Sequence, residues 1–289
     1  MEKLFVTGAT GNVGIEVIKA LQKIQHQLDI FAGVRDLQKD VEKLSEFYII
    51  PEKFDFTDVT TFEPALKDCQ ILFLLKPPQI SDTDKYFIPL IEIAEKCNVR
   101  HIIFLSVQGV EKSSIIPHHK IEKLIVESGI PYTFLRPAYF MQNFTTTLHD
   151  DLVNKKQIYL PAGKAKFTLI DVQNIGEIAA KIMSEPATHI NQSYELTCNE
   201  KLTFQEMADK LSLGLGTKIT YISPNLVSFT LQKLKENVPF GYILVLIILH
   251  YLPRFQREPF FSNAFMKIIG RNPTTFDQFV QDNKDLLLS

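Results

Sequence analysis

Apolar and polar positions along this chain fall into blocks that switch between two periods. Leu4, Phe5 and Val6 form a short apolar run that predicts a buried strand. After a turn containing Gly8, Gly11 and Gly14, the residues Val13, Val17, Leu21 and Ile24 recur at helical spacing. Residues 28–34 predict a second strand, and residues 47–56 contain a third that ends at Asp55. Thr57, Asp58, Thr60 and Thr61 then offer caps for a helix through Phe62 and Leu66. Residues 70–75 form a nearly all-apolar fourth strand, as expected when both sheet faces are covered, and Pro77 and Pro78 stop it. A helix over 82–97 turns Phe87, Leu90, Ile91 and Ala94 inward, and residues 101–106 give a fifth strand. Helical spacing resumes at Ile121, Leu124 and Ile125 and ends at Ser128 and Gly129. A sixth strand over 132–136 is closed by Pro137. Strands alternating with helices in this way specify a doubly wound parallel α/β sheet.

The pattern loosens after Tyr139. A turn at 160–163 precedes a strand over 166–170, and Asp171 opens a helix carrying Ile175, Ile178, Ala179 and Ile182. Thr203, with Glu206 at capping-box spacing, starts a helix through Phe204, Met207 and Leu211. Thr274 or Thr275 caps the last helix, with Phe276, Phe279 and Val280 inward. The predicted division is therefore a nucleotide-binding domain over 1–155 and a smaller α+β substrate lobe over 156–289. The helix near 171–185 is expected to pack back on the first domain. The run 240–252 is uncharged, bracketed by Pro239 and Pro253, and shorter than the ~20 residues of a spanning helix. It predicts a buried helix or a pocket lid, with membrane-surface association as the lesser alternative.

Composition narrows the function. The chain has 289 residues, 45% hydrophobic and 22% charged, which suits a globular protein of one large or two unequal domains. A formal net charge of -2 provides no polybasic footprint, so no nucleic-acid partner is implied. Cys69, Cys97 and Cys198 lack metal-ligand spacing, so no metal site is expected, and they read as buried thiols of a reducing compartment. Charged residues at positions 2 and 3 and an early glycine turn give no secretory signal, and the expected location is cytoplasmic.

The glycine turn carries the chemistry. Strand, tight turn and helix at the very start of the chain are the context of a phosphate-binding turn. Backbone without side chains approaches a pyrophosphate closely, and the helix N-terminus presents free N–H groups and partial positive charge. The spacing is Gly-x-x-Gly-x-x-Gly rather than the more familiar Gly-x-Gly-x-x-Gly. Arg35, at the end of the second strand, and Lys39, one helical turn on, offer two cations for a ribose 2′-phosphate, which favours NADP(H) over NAD(H). Asp36 is the counter-signal, because an acidic residue there takes a 2′-hydroxyl.

Several motifs together resemble the NmrA-like group of atypical short-chain dehydrogenase/reductases. They are the run from Thr7 to Gly14, Val34-Arg-Asp, Asp55-Phe-Thr-Asp58, His118-His-Lys-Ile-Glu122, the run from Ser128 to Pro137, and Phe140-Met-Gln-Asn143. The match thins beyond about Asp171. The resemblance implies a Rossmann-type fold and a nicotinamide cofactor. It assigns Gly8, Thr10, Gly11, Asn12 and Val13 to the pyrophosphate, Arg35 and Lys39 to the 2′-phosphate, and Asp55 and Phe56 to the adenine edge. Leu75, Lys76 and Pro77 would line the ribose side, and Lys120 would reach the nicotinamide ribose. Tyr139 and Phe140 would flank the nicotinamide, with Ser106 and Pro137 among the cofactor contacts.

The wider superfamily places a catalytic tyrosine four residues before its lysine, whereas Ile116 stands there before Lys120. Isoleucine has no proton to give, so ordinary ketone reduction is not implied. A quinone asks less: hydride delivery leaves a phenolate-like anion, and the protein's task is to hold the acceptor in a dry pocket. Lys120 and His119 are the candidate catalytic residues, and adjacent helical positions diverge by about 100°, so at most one of His118 and His119 faces the cofactor. Phe229, Phe240, Tyr242, Phe255, Phe260, Phe261 and Phe265 supply aromatic surface, for a small aromatic substrate or for the core of the lobe. The expected activity is an NADP(H)-dependent reductase acting on a quinone or similar conjugated acceptor. The alternatives are a non-catalytic redox sensor that signals through a protein partner and, further off, an isomerase or epimerase.

Overall fold

The computed structural model describes residues 1–80, 82–112 and 116–289. In chain order the first elements are β1 (Glu2–Val6), α1 (Asn12–Gln22), β2 (Leu28–Val34), α2 (Lys39–Glu42), β3 (Ile50–Lys53) and α3 (Phe62–Leu66). There follow β4 (Cys69–Leu75), α4 (Thr83–Lys96), β5 (His101–Leu105), α5 (Pro117–Glu127) and β6 (Tyr132–Pro137). The chain then passes into a second compact unit with β7 (Tyr139–Phe140), α6 (His149–Lys155), β8 (Gln157–Tyr159) and β9 (Lys166–Ile170). It returns to the first for α7 (Val172–Ser184) and β10 (Gln192–Leu196). The second unit resumes with β11 (Lys201–Thr203), α8 (Phe204–Leu215), β12 (Thr220–Ile222), α9 (Leu226–Lys235) and α10 (Phe240–Tyr251). The short α11 (Ala264–Ile269) belongs to the first unit, and α12 (Phe276–Asp282) and α13 (Lys284–Leu288) close the second.

The first unit comprises Met1–Pro137, Val172–Leu196 and Asn263–Arg271. Its seven-stranded sheet has the order β10-β6-β5-β4-β1-β2-β3 with every pairing parallel, the doubly wound Rossmann-type arrangement expected. The order reverses between β1 and β4, which makes that edge the topological switch point. Buried Phe5, Phe62, Leu72, Phe87, Leu90, Phe104 and Ile121 form one core on this sheet, with α3, α4 and α5 contributing. Helix α7 packs against α1. The second unit, Ala138–Asp171, Thr197–Ser262 and Asn272–Ser289, holds a three-stranded sheet β11-β9-β7 and a parallel pair β12-β8. Its core gathers Phe144, Leu169, Phe204, Leu211, Phe229 and Phe276.

Local signals translate directly. Asp82 caps α4 by accepting from the Lys85 N–H at 3.0 Å. Thr203 and Glu206 form the reciprocal capping box, and Thr275, rather than Thr274, does the same with Gln278. Gly129 ends α5 at φ +72°, where a side chain would be strained.

Five expectations need correcting. The helix after the glycine turn stops at Gln22, leaving Ile24 39% exposed rather than in the core. The third strand is only Ile50–Lys53 and stops short of Asp55: Phe54 turns out of it and, with Phe56, joins an aromatic cluster with Phe5, Phe62 and Phe87. The helix capped by Thr275 is not the last, because α13 follows. Among the aromatic residues of the C-terminal half, Phe229 and Phe265 are buried, but Phe240, Tyr242, Phe255, Phe260 and Phe261 are exposed and build no core. The run 240–252 is a helix but not a buried one: only Ile243, Leu246 and His250 of α10 are covered. Cys69 and Cys198 are buried as expected, and Cys97 is half-buried.

Candidate dinucleotide-binding site

The switch point is built by two side chains, Thr7 and Leu75, and two glycines. The Thr7 hydroxyl accepts the Leu75 N–H at 2.8 Å and donates to the Phe73 carbonyl at 3.2 Å, fastening the ends of β1 and β4 together. Gly8 follows at φ +60°, and a Cβ there would meet the Leu75 side chain at 3.1 Å. Gly14 has no room at all, since a Cβ would stand 2.3 Å from the Gly8 carbonyl oxygen. The turn is thus folded back on the first turn of α1, with Gly8, Gly11 and Asn12 open to solvent and Val13 buried beneath. No side chain caps α1 and no acidic residue occupies its first turn, which leaves the leading amides available to an anion. These are the properties a pyrophosphate cradle requires.

The second strand's end supplies cations. Arg35 is exposed and its guanidinium enters no ion pair among the described residues; Lys39 is exposed one turn on. Asp36 is occupied with its own turn: Oδ1 accepts from the Gln38 and Lys39 N–H groups at 2.9 and 3.1 Å, and those bonds hold its carboxyl below the usual range. Lys53, at the end of β3, donates from Nζ to the Arg35 carbonyl and joins the same corner. Sequence reasoning missed Lys53. The signal was the register of β2 and β3, which sets Val34 against Lys53. Asp55 lies within the field of Arg35 and Lys53. Burial pushes its carboxyl up, but the Thr57 N–H and hydroxyl and those two cations bring it below its ordinary value. Its neighbour Phe56 keeps its ring in the core.

The nicotinamide end of such a site would fall at the ends of β4, β5 and β6. Lys76 is half-buried, and its Nζ donates to the Pro77 and Ile80 carbonyls at 2.9 Å each; burial lowers it to about 8. Of the three candidate residues opening α5, Lys120 is exposed and His119 hangs by Nδ1 from the Val110 carbonyl at 3.3 Å. The ring turned toward the sheet is His118, stacked 5.9 Å from Phe104. Burial, with the Lys76 charge nearby, drives it down to about 3, so it is neutral at pH 7. The periodicity carried this signal: His118 precedes the buried positions Ile121, Glu122 and Ile125 at spacings of three, four and seven. Arg136, one residue before Pro137, anchors α5 to β6 through a bidentate pair with Glu122 at 2.7 and 3.0 Å.

Among the described residues two buried polar atoms on this edge have no hydrogen-bond partner, the Ser106 Oγ after β5 and the His118 Nδ1. A buried polar group of this kind is open to a water molecule or a ligand. With the open amides of α1 and the Arg35 corner, they fit a dinucleotide along the sheet edge. In the second unit, Tyr139 donates its hydroxyl to His250 Nε2 at 3.2 Å, while His250 Nδ1 donates to the Leu246 carbonyl at 2.7 Å. The Tyr139 ring stands edge-on to Phe167 and Phe204, and burial pushes its phenol up. Phe140 beside it is half-buried. Among the described residues no three His, Cys, Asp or Glu side chains are grouped to hold a metal.

A seven-stranded parallel sheet with this turn at its switch point defines a Rossmann-type dinucleotide-binding protein. Sequence comparison makes the class specific. The NmrA-like family matches residues 1–255, and the chain belongs to that family. It is 27% identical to prestalk A differentiation protein A of Dictyostelium discoideum, over 96% of this chain and 91% of that protein. It is 28% identical to the NAD(P)H azoreductase of Xenophilus azovorans, over 81% and 79% of the two chains. The fold matches that of the Escherichia coli quinone oxidoreductase QOR2 in complex with NADPH, with a TM-score of 0.84, 24% identity and coverage of 96% and 99%.

Proposed function

We propose that this protein is an NADPH-dependent reductase that delivers hydride to a quinone or similarly flat, conjugated acceptor. The observation that carries the reading is the edge itself: a glycine turn at the switch point, with Arg35 at one end and two buried polar atoms at the other, the first without an ion pair and the others without a hydrogen-bond partner among the described residues. Relatives named azoreductase and quinone oxidoreductase support an acceptor of this class. Bound NADPH would supply the hydride. Gly8, Thr10, Gly11, Asn12 and Val13 hold its pyrophosphate by main-chain amides. Arg35, Lys39 and Lys53 surround the 2′-phosphate, which selects NADP(H) over NAD(H). Main chain around Asp55 and Phe56 borders the adenine. Leu75, Lys76 and Pro77 line the ribose side, Lys120 reaches the second ribose, and Ser106 and Pro137 bound the nicotinamide end.

Neutral His118, held in place by its stacking on Phe104, is no general acid at pH 7. His119 and the exposed Lys120 remain the proton and charge sources in reach of solvent. Ile116 caps α5 where the superfamily's tyrosine would stand, which favours an acceptor whose reduced form needs no immediate protonation.

The test is NADPH oxidation at 340 nm against a panel of quinones and azo dyes, alongside calorimetric binding of both cofactors. Turnover with at least one panel member is expected. Arg35→Ala should weaken NADPH by about 10- to 100-fold, the worth of one charge-assisted contact, and leave NADH unchanged. NADPH binding without turnover across the panel would overturn the reductase reading.

A further inference from the structure

The second unit exposes an apolar ridge that the reductase reading does not use. Helix α10 contains no Asp, Glu, Lys or Arg over Phe240–Tyr251, and its one histidine, His250, is buried against Tyr139. Leu244, Val245, Ile248, Leu249 and Leu252 are between 44% and 59% exposed, and Phe255 is 72% exposed. Beside it, α9 shows Val227, Leu231 and Leu234 at i, i+4 and i+7, exposed as well. A surface this apolar on a soluble unit marks a binding face.

We infer that this ridge seats the protein on an anionic lipid bilayer, with α10 lying in the plane of the interface. Two observations select lipid over a second copy of the chain. The first is shape. Successive residues turn by about 100°, so the exposed apolar positions of α10 sweep an arc of about 180° from Phe240 to Leu249. A helix packed on another helix covers a stripe of roughly 100°. A symmetric dimer would therefore leave much of the arc in water, whereas the headgroup–acyl boundary surrounds all of it.

The second observation is charge. Lys235, Arg254 and Arg257 flank the ridge, are exposed, and form no ion pair among the described residues. The two acids of the same stretch are already neutralised. Glu236 is held by Lys155 at 2.6 Å and Lys233 at 2.8 Å, and Glu258 by Lys166 and Lys201 at 3.3 Å each. Residues 226–262 thus carry four cations and two acids, a surplus of two positive charges in a chain whose net charge is -2. The surplus lies beside the ridge, where anionic headgroups would meet it. Tyr251, under the Arg254 guanidinium at 4.9 Å, and Tyr242 place amphipathic rings near the two ends of the helix.

The chain contains no tryptophan, so Ile248→Trp introduces a single reporter. With vesicles of phosphatidylcholine and phosphatidylglycerol, its emission should shift blue and be quenched by brominated acyl chains. Tyr48→Trp, at a position 91% exposed in the first unit, should report neither change. The unmodified chain should co-sediment with mixed vesicles about 10- to 100-fold more tightly than with phosphatidylcholine alone, and lose that preference when Lys235, Arg254 and Arg257 are changed to alanine. Ile248→Glu with Leu249→Glu should abolish sedimentation while the thermal midpoint stays close to that of the parent. No association of the parent chain with mixed vesicles would overturn the inference. So would an unquenched indole in I248W, or a solution dimer that dissociates on Ile248→Glu and ignores vesicles. None of these readouts depends on NADPH or on turnover, so the inference stands or falls apart from the reductase reading.

Discussion

Two apolar runs of this chain, β4 and α10, look alike as strings and end in opposite places. In β4, Ile71, Leu72, Phe73 and Leu74 are at most 3% exposed. The strand has partners on both sides and helices over its faces, so every side chain meets protein. In α10, a run of even greater apolarity has only one flank covered, by Ile243, Leu246 and His250. The difference teaches that hydrophobicity says a run prefers to leave water, but topology decides whether the same chain supplies the cover. A central parallel strand is covered as soon as its crossovers form. A helix beyond the last sheet connection has no such guarantee.

That contrast is breakable. Phe73→Ala should cost about 3–5 kcal/mol in urea unfolding, because a fully buried ring leaves a cavity. A loss under 1 kcal/mol would show β4 to be less tightly covered than described. Glu122→Ala removes the bidentate partner of Arg136, which keeps Glu111 at 3.6 Å and Glu195 at 3.8 Å, and should cost about 2 kcal/mol by the same measurement. Its effect belongs to the covered side of the comparison, since it loosens α5 from β6.

A graded loss should follow pH. His101 and His250 are held down to about 4 and His118 to about 3, all chiefly by burial. The unfolded chain, with histidines near 6.5, takes up protons first as pH falls. This contribution is therefore fully present above about pH 6.5 and is lost as the pH falls through 4 toward 3. Urea midpoints that are flat between pH 7 and 4 would contradict it. Smaller still, Thr203→Ala should cost about 1 kcal/mol through the lost cap of α8. At the bottom of the scale, Leu249→Glu on the exposed ridge should move stability by no more than about 0.5 kcal/mol. A large loss there would mean that the ridge is covered after all.

Much of the fold was legible because its signals are local. The residues of β2 and β9 and the Thr203 capping box follow from side chains within a few positions of each other. The seventh strand, β10, was not predicted. Gln192, Ser193 and Glu195 give it a polar edge character, and only its pairing with β6 makes it a strand. Phe54 and Asp55 read as strand residues because alternation does not reveal where a short edge strand ends. At the candidate site, the glycine turn and Arg35 were readable from spacing. Lys53 depends on strand register, and His118 was passed over in favour of its neighbour although its spacing to Ile121 and Ile125 pointed inward. The exposure of α10 had no local signature at all, since a buried and an uncovered apolar helix have the same sequence.

The central claim is that the glycine edge and the Arg35 corner together hold a phosphorylated dinucleotide. Isothermal titration of the purified chain with NADPH and NADH tests it most directly. One NADPH per chain is expected, bound more tightly than NADH, with the advantage erased in Arg35→Ala. Heat of binding from neither cofactor would contradict it.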